Sequence, residues 1–406
     1  VKARRLLIRH LHSMRVTHLA FPLAVLSLIV ACYWSYLHLP NRVVTTPAAK
    51  PFTNSSGFPT TRFTAHVKEL TENYDYAGMD DNCECDGKFQ FKVSTKRSAP
   101  SFECLSPNGA PLDPKTANQV SLWWCTVLKN IFQDQKRVLP YNVSFMVSGG
   151  DRWFPDRPGF CCLGSSSKGG IHSLTNFLEI KRMTMNKTYP ITPWHNRSRV
   201  PIWRGTPWLN TSAYVVVDWD SGNYYEQVLL SSPRLRAVDW SMRHPSLLDA
   251  RVHTKNVMKN DPHWFPNSTY ALDKLLALNR IPEDAYYTKY QVAVVMCGIG
   301  AAFRTSIHFS TSTAVVLHDC YFQEWFTPLL KPFEHYIPLS KHLSDVDEKM
   351  QWIQENPEKV KKIAENGRQF YLDYLDFERN EEHIYEFLYR LAETKEQQDN
   401  NTTSVS

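Results

Sequence analysis

The stretch CGIGAAFRTSIHFSTSTAVVLHD, Cys297 to Asp319, decides how this chain is read. It follows one apolar run, Tyr290 to Met296, and contains a second, Ala314 to His318. Short β-branched runs bounded by small residues predict strands. Between them, Gly298-Ile299-Gly300-Ala301-Ala302-Phe303-Arg304 predicts a turn that begins a helix. Glycine and alanine there let a ligand reach main-chain N–H groups, and a helix start carries a partial positive charge of about half an electron. Arg304, one turn into that helix, adds a two-pronged donor suited to a diphosphate. Two other readings stand beside this one. Packing alone accounts for glycines at a strand-to-helix turn. Gly298-x-Gly300 followed by Asp319 has the outline of a dinucleotide site, but Phe303 stands where that motif wants a third glycine.

Working outward, strand and helix alternate after Trp203, with further strands expected at Tyr214 to Trp219 and His335 to Leu339. That alternation predicts an α/β fold with a doubly wound parallel sheet. From Ser344 to Lys395 the text is helical, with Ser344 as the first cap and Pro357 in the first turn of another helix. Upstream, Asn118 to Asp134 places Val120, Trp123, Trp124, Val127, Leu128 and Ile131 on one helical face. Val143 to Val147 reads as a strand ending in the turn Ser148-Gly149-Gly150-Asp151.

The N-terminal region has a different character. Leu19 to Leu37 carries no charge and has the length to cross a bilayer. Lys2, Arg4, Arg5, Arg9 and Arg15 precede it, which orients that side to the cytoplasm. A cleaved signal peptide is the competing reading, and under either one the remainder is secretory. Taking those five basic residues from the 46 leaves 41 against 40 acids, so the net charge of +6 is no nucleic-acid footprint. Pro40 to His66, rich in proline and hydroxyl residues without apolar periodicity, reads as a stalk. Cys83, Cys85, Cys104, Cys125, Cys161, Cys162, Cys297 and Cys320 form an even set suited to disulfides in an oxidising lumen. Acceptor sequons begin at Asn54, Asn142, Asn186, Asn196, Asn210, Asn267, Asn400 and Asn401. Together these features predict a single-pass Golgi or endoplasmic reticulum membrane protein with the bulk of the chain in the lumen.

Several ordered motifs then point to one family. Tyr290-Gln291, GIGAAFR, EWFTPLLKPFEHYIPL from Glu324 and LSDVDEKMQWIQENPEKVKKIAENGRQF from Leu343 closely resemble glycosyltransferase family 90, which includes the capsule-associated and Rumi-type protein O-glucosyltransferases. Pro201-Ile202-Trp203-Arg204-Gly205-Thr206 resembles its WRG(S/T) element, and Ser232-Pro233-Arg234-Leu235-Arg236 with HPSLLDAR from His244 resembles the next. The resemblance implies a GT-B-like architecture of two Rossmann-like domains with C-terminal helices, here preceded by the transmembrane helix. On that basis the chain divides into a cytoplasmic tail (1–15), a signal anchor (16–39), a stalk (40–66) and an acceptor-side domain (67–205). A nucleotide-sugar domain (206–343), C-terminal helices (344–395) and a disordered tail (396–406) follow.

The chemistry implied by the resemblance is inverting transfer of a hexose or pentose, glucose or xylose foremost, from a UDP-sugar to a hydroxyl of a protein or glycan, with no metal and no cofactor. Ile299, Gly300, Ala301, Ala302, Phe303 and Arg304 match the family's donor loop, and Thr206 and Arg234 match two more donor contacts. Glu324 matches an acid placed near the ribose hydroxyls, and Asp151 matches the catalytic base. Without the resemblance, Asp151 reads equally as a turn-capping acid beside glycines. The chain departs from the family at IHSLTNFLEIKRMTMNKTYPITPW, Ile171 to Trp194, where an aromatic and proline-rich stretch helps to shape the acceptor site. Asp218-Trp219-Asp220 offers an alternative, a manganese-dependent transferase, and an inactive sugar- or UDP-binding module is a third reading.

Overall fold

Apolar runs too short for helices and buried on both sides belong in the middle of a parallel sheet. Residues 90–95, 102–106, 110–115, 117, 119–141, 144–148, 167–168, 175–207, 227, 229, 232–253, 277, 279–298, 301–320 and 322–403 are described by the structure, a computed structural model. All of them lie in one unit, Gly57–Ser406. The expected transmembrane segment, stalk and Tyr214 to Trp219 strand lie outside the described residues, as do Asp151, Asp218, Asp220, Ile299 and Gly300.

The strands are β1 (Gln90–Thr95), β2 (Phe102–Leu105), β3 (Ser144–Ser148), β4 (Ser167–Lys168), β5 (Ile202–Gly205), β6 (Asp249–Val252), β7 (Val292–Val295), β8 (Ala314–His318), β9 (Phe322–Gln323) and β10 (Ile337–Leu339). The helices are α1 (Gln119–Lys129), α2 (Phe177–Met185), α3 (Pro233–Arg243), α4 (Glu283–Thr288), α5 (Thr305–Ser310), α6 (Val346–Glu355), α7 (Pro357–Phe370) and α8 (Phe377–Thr403).

A five-stranded sheet in the order β10-β8-β7-β5-β6 organises the C-terminal half, and each of its pairings is parallel. The α/β expectation and the strands read at Tyr290, Ala314 and His335 are therefore met. Alternate residues serve opposite faces, as the two-residue strand period requires. Val292, Val294 and Met296 join a core with Leu235, Met350 and Ile363, whereas Val295 and Val315 face Phe309, Phe370 and Leu388. β5 sits between β7 and β6, so the sheet takes in residues before the boundary expected at 205/206.

Three expectations are corrected. Among the described residues the N-terminal half holds an antiparallel sheet, β2-β1-β3, rather than a parallel one. The link from Thr95 to Phe102 is too short for a parallel crossover, which needs about a dozen residues or more. The first C-terminal helix takes Asp345 at its cap position rather than Ser344, and no side chain caps it. Asp345 Oδ1 accepts instead from the Ser340 amide and hydroxyl at 3.0 and 2.6 Å, which anchors the end of β10. Finally, α8 runs to Thr403, into the segment expected to be disordered.

That last helix also closes the core. Ile384, Phe387, Leu388 and Leu391 pack with Trp124, Val127 and Leu128 of α1, which a disulfide, Cys104–Cys125, ties to β2. Among the described residues no helix is long and apolar enough to cross a membrane. Asn186 and Asn196, the two sequons whose exposure is described in full, are both exposed.

Candidate functional site

In open parallel sheets ligands sit outside the C-terminal strand ends, where loops diverge. Here those ends bring together Thr206 after β5, His253 after β6, Cys297 and Gly298 after β7, Asp319 and Cys320 after β8 and Ser340 after β10. A cleft of about 320 Å³ opens there. Ala301, Ala302 and Thr305 form one wall, Leu317, Tyr336 and Leu339 an apolar patch, and Asp319, Glu324 and Asp345 supply carboxyl groups.

The local sequence explains how Arg234 reaches this edge. Ser232 caps α3 by accepting from the Leu235 amide at 3.3 Å, and Pro233 starts the helix. Arg234 then lies in the first turn, and its guanidinium spreads over three carbonyls: Nε to Cys297 at 2.9 Å, Nη1 to Thr206 at 3.0 Å and Nη2 to Met296 at 2.8 Å. Gly298 suits this arrangement, since a Cβ there would stand 2.8 Å from Arg234 Nη2 and push the guanidinium aside. Thr206 meets Arg234 through its carbonyl.

The WRGT element is equally local in its logic. Trp203 is buried, and its ring lies where a Cβ on Gly205 would come within 2.3 Å. Arg204 turns inward, bonding the carbonyls of Trp203 and Asp249 at 2.8 and 2.7 Å and pairing with the Asp249 carboxylate at 2.7 Å. Asp249 belongs to HPSLLDAR, so the two motifs are joined by one ion pair across β5 and β6.

The bare segment differs from its expectation. The helix begins at Thr305, after Arg304, and has six residues. Ala301 to Arg304 forms a turn, with the Arg304 amide bonded to the Ala302 carbonyl at 2.8 Å. So short a helix aligns few peptide units, and its dipole is correspondingly small. Arg304 does not line the cleft. Its Nη1 donates to the Arg204 carbonyl, and its guanidinium lies 5.4 Å from the Tyr286 ring centre. Phe303 is buried, while Ala301 and Ala302 face the cleft as the bare backbone requires.

Charge is divided across the site. His253 is held below the usual imidazole range by burial first, then by Arg304, with Arg234 and Arg280 adding to the effect against a bond to the Gly205 backbone. Three cationic fields thus overlap at the ends of β5 and β6. On the other side Glu324 is buried, accepts a hydrogen bond from Asn176 Nδ2, and is pushed up to about 8 by desolvation, with Glu179 acting in the same direction. His308, buried behind Arg304 between the rings of Tyr286 and Tyr287, is pushed down to about 3 by burial and by that arginine.

Cys297, His318 and Cys320 bring ligand-type atoms within 4.8 Å of one another. The two sulfurs form a disulfide, which has no thiolate to offer a cation. The bond instead clamps the loop after β7 to the loop after β8. His318, with Nε2 2.8 Å from the Lys341 carbonyl, is held neutral by burial, its pKa down at about 4.

Sequence reasoning missed Asn176, His253, the Arg204–Asp249 pair and this disulfide pairing. Only the last left a trace, in the even cysteine count.

Residues 222–404 match the family model described as Glycosyl transferase family 90. Protein O-glucosyltransferase 3 of Homo sapiens is 32% identical over 160 residues, covering 39% of this chain and 29% of its own length. Protein O-glucosyltransferase 1 of Bos taurus is 35% identical over 156 residues, or 38% of each chain. Uncharacterized protein 179R of Invertebrate iridescent virus 6 is 27% identical over 209 residues, covering 46% of this chain and 16% of its own length. The chain thus spans between 16% and 38% of the length of these relatives.

Proposed function

With residues 222–404 matching the glycosyl transferase family 90 model, we propose that the chain is an inverting glycosyltransferase that moves a hexose or pentose, glucose or xylose foremost, from a UDP-sugar to a hydroxyl of a protein or glycan. The observation that carries this reading is the cleft at the C-terminal strand ends, lined by carboxyl groups, with Arg234 and Arg304 fixed on backbone carbonyls at the neighbouring ends of β5 and β7. A nucleotide sugar has the same polarity: an anionic diphosphate and a hydroxyl-rich ribose joined to a flat base. Leu317, Tyr336 and Leu339 suit the base, Glu324 and Asp319 the ribose hydroxyls, and Ala301 and Ala302 the close approach of phosphate to backbone. In this reading these residues form the donor half of a GT-B enzyme.

Departure of the diphosphate leaves negative charge where the sugar bond breaks. Cations fixed before the reaction stabilise that charge without reorganising. Arg234 meets this condition, because three carbonyls hold it. Arg304 adds its field from behind the loop, and no metal ion is required by this scheme. Asp151 is the proposed base: it takes the acceptor proton as the oxygen attacks the anomeric carbon from the face opposite the diphosphate. Such a base is worth about 10²–10⁴ in rate. The N-terminal apolar run and the disulfides fit a type II membrane protein of the Golgi or endoplasmic reticulum.

The test is turnover of a panel of labelled UDP-sugars, with and without excess chelator, against an Asp151→Asn control. Transfer that survives chelator and fails in the variant supports the proposal. Transfer abolished by chelator favours a cation at Asp218 and Asp220 instead, and UDP binding without any transfer favours the inactive module.

A further inference from the structure

The stretch in which this chain departs from the family pattern contains α2, and the residue that caps this helix reaches the cleft acid. Asn176 is the N-cap of that helix, with an extended backbone at φ −83° and ψ 158°. Its Oδ1 accepts from the amides of Leu178 and Glu179, both at 3.0 Å. Two backbone donors on the oxygen settle the orientation of the side-chain amide, so its NH₂ points away from the helix. That NH₂ donates to Oε1 of Glu324. Asn176 is 1% exposed and Glu324 3%, so bulk water cannot replace the bond.

Among the described residues Glu324 Oε2 has no hydrogen-bond partner, which leaves it as the oxygen a ligand in the cleft can reach. The helix behind Asn176 is itself fixed. Arg182 Nη1 bonds both oxygens of Glu179 at 2.7 and 2.9 Å, and Ser306 Oγ donates to Glu179 at 2.5 Å. Ser306 lies in α5, directly behind the bare segment. One helix start therefore touches both the acid of the cleft and the helix that supports its opposite wall.

We infer that Asn176 is a positioning residue of the nucleotide site, orienting Glu324 so that one carboxyl oxygen faces a hydroxyl of the bound nucleoside. This assignment rests on the cleft being the UDP-sugar site. A purely structural Asn176 would act only as a cap. Serine caps as well as asparagine but is too short to reach Glu324.

The experiment is calorimetric titration of the full chain with UDP, alongside donor kinetics, for wild type, Asn176→Ser, Asn176→Asp and the double variant Asn176→Asp/Glu324→Gln. Asn176→Ser should fold with its helix cap intact yet bind UDP about tenfold more weakly, with the loss in donor KM rather than kcat. Asn176→Asp keeps the cap but removes the NH₂ donor; protonated Glu324 then turns its own O–H toward the introduced carboxylate, and UDP should bind more weakly as well. In the double variant the donor and acceptor exchange sides: the amide introduced at position 324 donates to the carboxylate introduced at position 176, and UDP affinity should partly return. Wild type that binds UDP while both single variants match it overturns the assignment alone, as does a double variant with no recovery. Wild type that binds no UDP overturns the nucleotide reading and this assignment together.

Discussion

The loops after β5 and β7 gather cations, whereas those after β8 and β10 gather carboxyl groups, and the two sides meet the cost of burial differently. Arg234 and Arg304 are held by backbone carbonyls and keep their charge, because a guanidinium is not deprotonated at any ordinary pH. Glu324 is held by one amide and gives up its charge below a pKa of about 8. The comparison teaches that removal from water leaves a permanent positive charge on one side and a neutral hydrogen-bonding group on the other. Those are the groups an anionic diphosphate and a ribose hydroxyl respectively require.

Substitutions on the cationic side should have the largest effects. Arg304→Ala should lower turnover by about a hundredfold or more while leaving a folded protein. Near-normal turnover with every nucleotide sugar would remove Arg304 from the mechanism. Arg234→Lys leaves at least two of three carbonyls without a donor, and denaturant melts should show a loss of about 2–4 kcal/mol. An unchanged midpoint would mean that water replaces the guanidinium.

The two disulfides sharpen the contrast between the cleft and the rest. Replacing either pair with serine should cost about 3 kcal/mol of stability. Only loss of Cys297–Cys320, which clamps two loops of the cleft, should also weaken UDP binding; loss of Cys104–Cys125 should not. Equal effects on binding would show that the clamp has no local role.

The pH dependence tests burial on both flanks. His308 and His318 have folded pKa values of about 3 and 4, below the unfolded value, so their contribution is present above pH ~6.5 and lost as pH falls. Glu324 has the opposite sign: its contribution is complete below the unfolded carboxyl range and disappears as pH rises through about 8. Both ring nitrogens of His308 are buried without a partner among the described residues. His308→Phe should therefore hold stability at neutral pH and recover about 2 kcal/mol of the loss seen at pH ~5. The smallest effect is expected from Gly298→Ala, about 1–2 kcal/mol, as the guanidinium of Arg234 moves to admit a methyl group.

Much of the sheet was legible because its signals are local. Val292 to Val295 and Ala314 to His318 are β-branched runs between small residues, and nothing else suits such text. The motif around Arg234 could be read as a helix start from Ser232 and Pro233 alone. The start of α5 was misjudged because glycine and alanine permit a turn as readily as a helix, and the choice fell to the bond between Arg304 and Ala302. Asn176 and Glu324 are 148 residues apart, and no periodicity links them.

By itself, the sequence determined the parallel α/β sheet, the bare backbone segment and the residue types near it, since strand propensity, turn chemistry and capping act over a few neighbouring residues. Tertiary structure alone decided which carbonyls hold Arg234, that Arg304 turns behind the loop, that α8 closes on α1 and that Glu324 lies buried beside Asn176. Those outcomes depend on desolvation and on bonds between distant segments, and both come into being only when the chain has packed.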